Sequence, residues 1–317
     1  MDELATLQHL LRPLAGNAPE ARGLMDDVAV LPSEPGTDLV VTTDAMVEGV
    51  HFRPEDPLDL VARKLLRVNL SDLAAKGATP YGYQLMTAWS GRCRAEARTL
   101  FVSGLRADQA LFGLKLFGGD TVATPGPLVL SATLFGKVPS GRAISRMGAR
   151  PGDAVLVSGP IGDAHLGLRI LSGQFGDLAA IDKALLCERY TLPSPRLELA
   201  EDLLAHASAA MDISDGLVLD AERLGQASGV SLSLDLDRIP LSAQARRAVA
   251  RGMSVLDLIT GGDDYEILCT ARGAAAEALS RVGFQRIGIV TEGTPGAEVV
   301  HEGKIIDLAR RGWVHGA

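Results

Sequence analysis

Apolar positions recur along this chain with two different spacings, and the switch between them marks its elements. In the first half, short runs rich in β-branched and apolar residues stand between Gly or Pro: 38–43 (DLVVTT), 81–88 (YGYQLMTA), 113–118 (GLKLFG) and 127–138 (PLVLSATLFGKV). Their length and punctuation predict strands. Between the first two lies "DPLDLVARKLLRVNLSDLAAKGATP", in which Leu58, Val61, Ala62, Leu65, Leu66, Leu73 and Ala74 follow a helical period. Asp56 is the expected N-cap, with Pro57 at the first helical position and Gly77 and Pro80 as the stop. On this helix Asn69, Asp72 and Lys76 form one polar stripe, a pattern that a solvated face also produces. A second helix is expected over 95–112.

The stretch "PSGRAISRMGARPGD", 139–153, is rich in Pro, Gly and Arg and reads as a junction. It divides the chain into 1–139 and 140–317. Beyond it strand-like and helical segments alternate: DAVLVS, GDAHLGLRIL, PSPRLELAEDLLA, AAMDIS, GLVLDAERLGQAS and VSLSLDLD. A helical 242–252, a strand over 265–271, a helix over 273–282 and a β-rich end follow. Hairpin-like strands mixed with helices predict α/β and α+β halves, not a uniform βαβ wheel. Gly118-Gly119-Asp120-Thr121 echoes Gly261-Gly262-Asp263-Asp264, but four residues do not make a repeat.

Composition narrows the classes. A chain of 317 residues suits two domains, and 47% hydrophobic with 22% charged residues is an ordinary globular mixture. The net charge of −8 and the lack of a Lys/Arg block argue against a nucleic-acid partner. Cys93, Cys187 and Cys269 are scattered, which disfavours a disulfide framework or a thiolate zinc site. The N-terminus lacks the pattern of a signal peptide, and no apolar run reaches the ~20 residues of a membrane span. The expectation is a soluble, cytoplasmic protein without a membrane partner.

The common phosphate cradles are missing: there is no G-x-x-x-x-G-K-[ST] and no G-x-G-x-x-G. Dispersed acids stand in their place: Asp26-Asp27, Asp44, Asp72, Asp120, Asp212, Asp215 and Asp263-Asp264. Singly, each has an ordinary reading as a turn residue or a helix cap, Asp215 before the 216–228 helix included. As a set, several end strand-like runs, where loops from separate strands can converge. Two carboxylates about 4 Å apart repel by about 4 kcal/mol at an effective dielectric of 20, so such a cluster needs cations. Oxygen ligands without a His or Cys set point to Mg²⁺, Mn²⁺ or Ca²⁺, and several Mg²⁺ ions could bridge the protein to a polyphosphate. Asp220 lies inside the following helix and reads as a surface acid.

Eight stretches occur together in order: "MDDVAVL", "VVTTDAMVEGVHF", "VNLSDLAAKGATP", "GGDT", "GRAISRMGARPGD", "PSPRLELA", "AMDISDGLVLD" and "GGDDYEIL". In this combination, over nearly its whole length, the chain resembles the thiamine-monophosphate kinase family of the aminoimidazole-ribonucleotide-synthetase-like ATP-binding superfamily. The resemblance implies a two-domain fold, with an N-terminal sheet domain that forms a homodimer and a C-terminal α+β domain. It implies the reaction ATP + thiamine monophosphate → ADP + thiamine diphosphate, assisted by several Mg²⁺ ions. By the same resemblance Asp27, Thr42, Thr43, Asp44, Asp72, Asp120, Asp212 and Asp215 hold metal. Gly119, Asp120, Arg146 and Ser214 meet ATP, and His51, Asp263 and Trp313 meet thiamine monophosphate. Two positions depart from the family pattern: Met25 stands where a Gly is usual, and Asp263 where a Glu is usual. Lys64, Arg142 and Arg146 are candidates for direct phosphate contact. The competing expectations are another ATP-using member of the superfamily and a non-catalytic Mg²⁺–nucleotide-binding regulator.

Overall fold

From Val129 to Pro139 every second side chain is buried, as in a strand with one face against a core. The computed structural model describes residues 25, 29–32, 35–175, 177–314 and 316. In it β1 (Ala29–Pro32), β2 (Thr37–Val47), β3 (Thr79–Ser90), β4 (Leu116–Thr124) and β5 (Val129–Pro139) form one sheet. Its order is β1-β2-β5-β3-β4; β3 and β4 run parallel and the other neighbours antiparallel. Helices α1 (Leu58–Ala75) and α2 (Ala95–Phe112) pack on its inner face. Leu65, Leu66, Leu70 and Phe101 meet Val40, Leu130, Leu134 and Trp89 there. The strand expected over 113–118 starts at Leu116, because Gly113 adopts φ 66° to end α2.

The second sheet has the order β12-β11-β8-β10-β6-β9-β7. Its strands are β6 (Ala154–Val157), β7 (Ala209–Asp212), β8 (Ser231–Asp235), β9 (Ile267–Ala271), β10 (Gln285–Thr291), β11 (Gly296–His301) and β12 (Lys304–Ile305). Around it lie α3 (Asp163–Leu171), α4 (Ala180–Thr191), α5 (Ala200–His206), α6 (Leu217–Ser228), α7 (Ala243–Val249), α8 (Val255–Ile259) and α9 (Ala274–Arg281). Strands β6, β7 and β9 are buried on both faces. Val155, Met211 and Leu268 pack with Leu217 and Leu224 of α6, while Leu156, Ala210 and Cys269 pack with Leu203 of α5 and Leu279 of α9.

Helix α1 belongs to both halves. Its last residues, Ala74 and Ala75, sit in the core cluster of the second sheet, and Lys76 donates to Ala210 O at 2.8 Å. The polar stripe is therefore no solvated face: Asn69, Asp72 and Lys76 are all buried. Asp56 does not cap the helix either; its carboxylate accepts the Arg53 N–H at 2.8 Å, and α1 starts at Leu58 without a side-chain cap. The stop is as expected. Gly77 at φ 71° donates to Ala74 O, and Ala78 donates to Leu73 O, which closes the helix in a Schellman turn. Among the described residues no helix is long and apolar enough to cross a membrane.

Candidate functional site

A cavity of about 350 Å³ opens between the two halves. Asp44, Met46, His51, Lys64 and Val68 line it from the first half; Ser214, Asp215, Gly262, Asp263, Tyr265 and Trp313 line it from the second.

The acids in and behind its wall come from three elements. On β2, Thr42 and Asp44 are two residues apart and share the inward face, and Thr42 Oγ1 donates to Asp72 Oδ2 of α1 at 2.5 Å. Asp212 ends β7, the point at which the second sheet meets α1. Burial pushes the Asp44 carboxyl up to about 6, and the Asp215 charge adds to the rise. Asp212 is pushed up to about 7 by burial, then by Asp220 and Asp44. Asp72 lies well above the usual carboxylate range for the same reasons, with Asp212 and Asp44 as the charges it feels. Asp44 and Asp72 of the first half and Asp212 of the second therefore each feel another acid's charge across the junction of the halves. Arg146, in the segment that joins the sheets, lowers Asp212 and Asp220 but does not cancel their rise.

The loop 213–216 owes its shape to Asp220, which is fully buried and not the surface acid its helical position suggested. Oδ2 of Asp220 accepts the N–H groups of Ser214 and Asp215 at 3.0 and 2.9 Å, and Oδ1 accepts from Arg223 at 2.9 Å. Arg223 also pairs with the Asp215 carboxylate, which therefore does not cap α6. Ser214 O and Ile213 O accept the N–H groups of Asp263 and Tyr265, so the two acidic loops of the second half lie side by side. Asp263 and Tyr265 hold left-handed backbone, φ 71° and 49°, a conformation non-glycine residues adopt at a cost.

Met46, Val50, Val68, Leu168 and Trp313 give the cavity apolar lining, beside His165, Thr260 and Arg310. Trp313 is 51% exposed, and its backbone N–H donates to Asp215 O at 2.8 Å. His51 Nδ1 accepts the Val47 N–H at 3.0 Å. His165 was not singled out from the sequence: one His inside "GDAHLGL" carries no signal. Its ring lies against Gly261, where a Cβ would overlap it, and burial with the nearby arginines Arg310 and Arg169 lowers its pKa to about 4.

Some expected residues stand elsewhere. Gly119 and Asp120 are on the exposed edge strand β4, and the register runs Asp44–Ala132–Leu85–Gly119 across the sheet. Three strand spacings put Gly119 roughly 14 Å from Asp44 within one chain. The glycine has a backbone reason: at φ 151° a Cβ would overlap Leu85 O of β3. Thr43 points to the outer face, bonded to Ala132 O and to Thr133. Arg142 donates to Leu204 O and is not among the cavity residues. Asp27 lies outside the described residues. Among the described residues no group of three or more His, Cys, Asp or Glu is arranged to hold a metal ion.

Two family models match the chain: AIR synthase related protein, N-terminal domain, over residues 25–138, and AIR synthase related protein, C-terminal domain, over 150–301. Thiamine-monophosphate kinase of Caulobacter vibrioides is 47% identical over 99% of this chain and 91% of its own length. The Escherichia coli K12 enzyme of that name is 37% identical over 92% of this chain and 91% of its own. Among solved structures, AaThiL complexed with AMPPCP and TMP superposes with a TM-score of 0.87 at 29% identity, covering 99% of both chains. Thiamine-monophosphate kinase from Stenotrophomonas maltophilia follows at 0.78 and 32%, covering 93% of this chain and 95% of that one. With both domain models matched in order and full-length identity to the kinases, this chain belongs to the AIR synthase related family and, within it, to the thiamine-monophosphate kinases.

Proposed function

We propose that this chain transfers the γ-phosphoryl group of ATP to the phosphate of thiamine monophosphate, giving ADP and thiamine diphosphate. The observation that carries this reading is a single cavity lined by Asp44, Asp215 and Asp263 together with the apolar side chains of Met46, Val50, Val68, Leu168 and Trp313, with the buried acids Asp72 and Asp212 electrostatically coupled to Asp44. A lining of acids and apolar side chains together suits a phosphate, with cations between, joined to a flat heteroaromatic cation. The kinship with kinases, one of them solved with an ATP analogue and TMP, supports it.

The acceptor needs no general base. A phosphate monoester has its second pKa near 6 and is largely dianionic at neutral pH. The difficulty is bringing two polyanions into line, so positioning and charge compensation dominate. Mg²⁺ fits the donor set. The ligands are oxygen-only, and burial together with mutual repulsion holds Asp44, Asp72 and Asp212 well above their ordinary range, which a cation would relieve. Mg²⁺ takes only one or two carboxylates per ion, so it asks for no preformed triad. When bound it would neutralise phosphate charge. Asp27, Thr42, Thr43, Asp44, Asp72, Asp120, Asp212 and Asp215 are its proposed ligands, with Gly119, Asp120, Arg146 and Ser214 for ATP; of these, Thr43, on the outer face, and Gly119 and Asp120, on the edge strand, stand apart from Asp44 within one chain. His51, Asp263 and Trp313 are proposed to hold thiamine monophosphate, with the tryptophan ring over the cationic end.

The same reading includes residues 1–139 and 140–317 as the two working halves, a cytoplasmic location, and a homodimer through the first sheet. Tyr81, Met86, Leu116, Phe117 and Val122 leave an exposed apolar strip on β3 and β4, which supports the dimer. Phe117→Asp should then halve the mass seen by light scattering. Incubation with ATP, Mg²⁺ and thiamine monophosphate should yield thiamine diphosphate; nucleotide binding without product would leave only a regulator.

A further inference from the structure

Lys64 is a buried cation at a substrate cavity, and the simplest role for it is to bind phosphate. Its surroundings argue otherwise. The side chain is 3% exposed; Nζ lies 3.2 Å from Asp263 Oδ1 and 3.3 Å from His51 O. It also lies 3.8 Å from the centroid of the Tyr190 ring, whose hydroxyl donates to the same His51 O at 3.4 Å. Two of the three ammonium donors are thus engaged, and an aromatic face covers the third direction. Little of the ammonium remains for a phosphate dianion.

The acid it meets is anchored on one side only. Asp263 Oδ1 accepts from Lys64 and, at 3.3 Å, from Tyr265 Oη. Oδ2 has no hydrogen-bond partner among the described residues, and the side chain is 29% exposed in the cavity wall. Lys64 rides on α1, which is buried in both halves, whereas Asp263 rides on a left-handed turn of the second half. The ion pair therefore refers the turn to the rigid helix and fixes the carboxylate plane.

We propose that Lys64 is a positioning residue, which holds Asp263 through Oδ1 so that Oδ2 meets the thiamine ring system, and that it does not bind the substrate phosphate. This rests on the kinase reading above. The acceptor so presented suits an N–H donor or the positive charge of the thiazolium–aminopyrimidine pair, next to the apolar wall of Val50, Leu168 and Trp313.

Thiamine itself, which has the rings without the phosphate, separates the two roles. Wild-type protein is first assayed with ATP, Mg²⁺ and thiamine monophosphate; absence of thiamine diphosphate there defeats the kinase reading, and the Kd for thiamine alone then tests the role of Lys64. With active wild type, Lys64→Met should raise the KM for thiamine monophosphate and the Kd for thiamine by the same factor, about tenfold or more. The KM for ATP should stay within about twofold. The double variant Lys64→Met/Asp263→Asn should be no worse than Asp263→Asn alone, and Lys64→Arg should recover part of the loss. If Lys64→Met melts, Lys64→Arg and the Asp263→Asn background carry the same comparison. A loss confined to the phosphorylated substrate, additive losses in the double variant, or an equal loss for ATP would each overturn the assignment.

Discussion

Asp212 and Asp220 are eight residues apart and both buried, yet their substitution should move stability in opposite directions. Asp212 is held above its ordinary range by burial and by the charges of Asp220 and Asp44. Asp212→Asn removes a repelled charge, so the metal-free protein should gain roughly 1–3 kcal/mol at pH 8. Phosphoryl transfer should fall about 100-fold or more. Asp44→Asn should behave alike, with part of its activity restored by raised Mg²⁺. Asp220→Ala strands two loop N–H groups and part of Arg223, and should cost about 2–3 kcal/mol. Urea titration with activity assays checks all three; a stabilised Asp220→Ala or a fully active Asp212→Asn would remove them from these roles. Trp313→Ala should raise the KM for thiamine monophosphate and spare ATP, because the residue lines the cavity together with Val50 and Leu168. Equal losses would make it an anchor. At this scale the sequence was legible where a residue acts through its own neighbours and misleading where the chain folds back. Nothing in "DISDGLVLD" says that Asp220 turns toward the two residues before Gly216.

Among elements, α1 carries the lesson. Its span, its apolar face and its Gly77 stop were legible, since all three are local. The stripe of Asn69, Asp72 and Lys76 was not, because what covers it is β7 and its neighbours, encoded more than 130 residues later. The turn at Gly77 now makes a quantitative demand: φ is 71° and an added Cβ would overlap the Leu204 side chain. Gly77→Ala should destabilise by about 1–3 kcal/mol, from left-handed strain and a displaced leucine. Equilibrium denaturation reads this directly, and a neutral result would mean the two halves can shift apart at this joint. Helix α4 was missed for a different reason. Ile181 and Leu185 are apolar but exposed, so the apolar period of the segment does not match its buried face. The short α8, five residues, is too brief to show a period.

The site exists only in the assembled molecule: β2 and α1 bring Asp44 and Asp72, β7 and its loop bring Asp212 and Asp215, and the repulsion among them is stored where the halves meet. That storage has a pH signature. Asp44, Asp212 and Asp220 have folded pKa values of about 6, 7 and 6, against about 3.9 in an unfolded chain. Between pH 4 and 7 the folded state holds more protons than the unfolded one, so these groups contribute stability at low pH that is lost as pH rises through 6 to 7. His165 acts the other way. Its folded value of about 4 lies below the unfolded 6.5, so its contribution is present above 6.5 and fades as pH falls. A simple Tm profile mixes the two, but the difference between profiles with and without Mg²⁺ does not, since His165 is present in both. Protons and Mg²⁺ compete for the same oxygens. The Mg²⁺-induced rise in Tm should therefore be large at pH 8, where Mg²⁺ at 100 times its Kd adds about 2.7 kcal/mol, and nearly vanish at pH 5.5. Calorimetry in buffers of different ionisation enthalpy should show proton release on Mg²⁺ binding near pH 6.5 and little at pH 8. A Mg²⁺ increment that is flat across this range would mean that the cation binds away from the buried acids, and the cleft between the halves would lose its reason for being acidic.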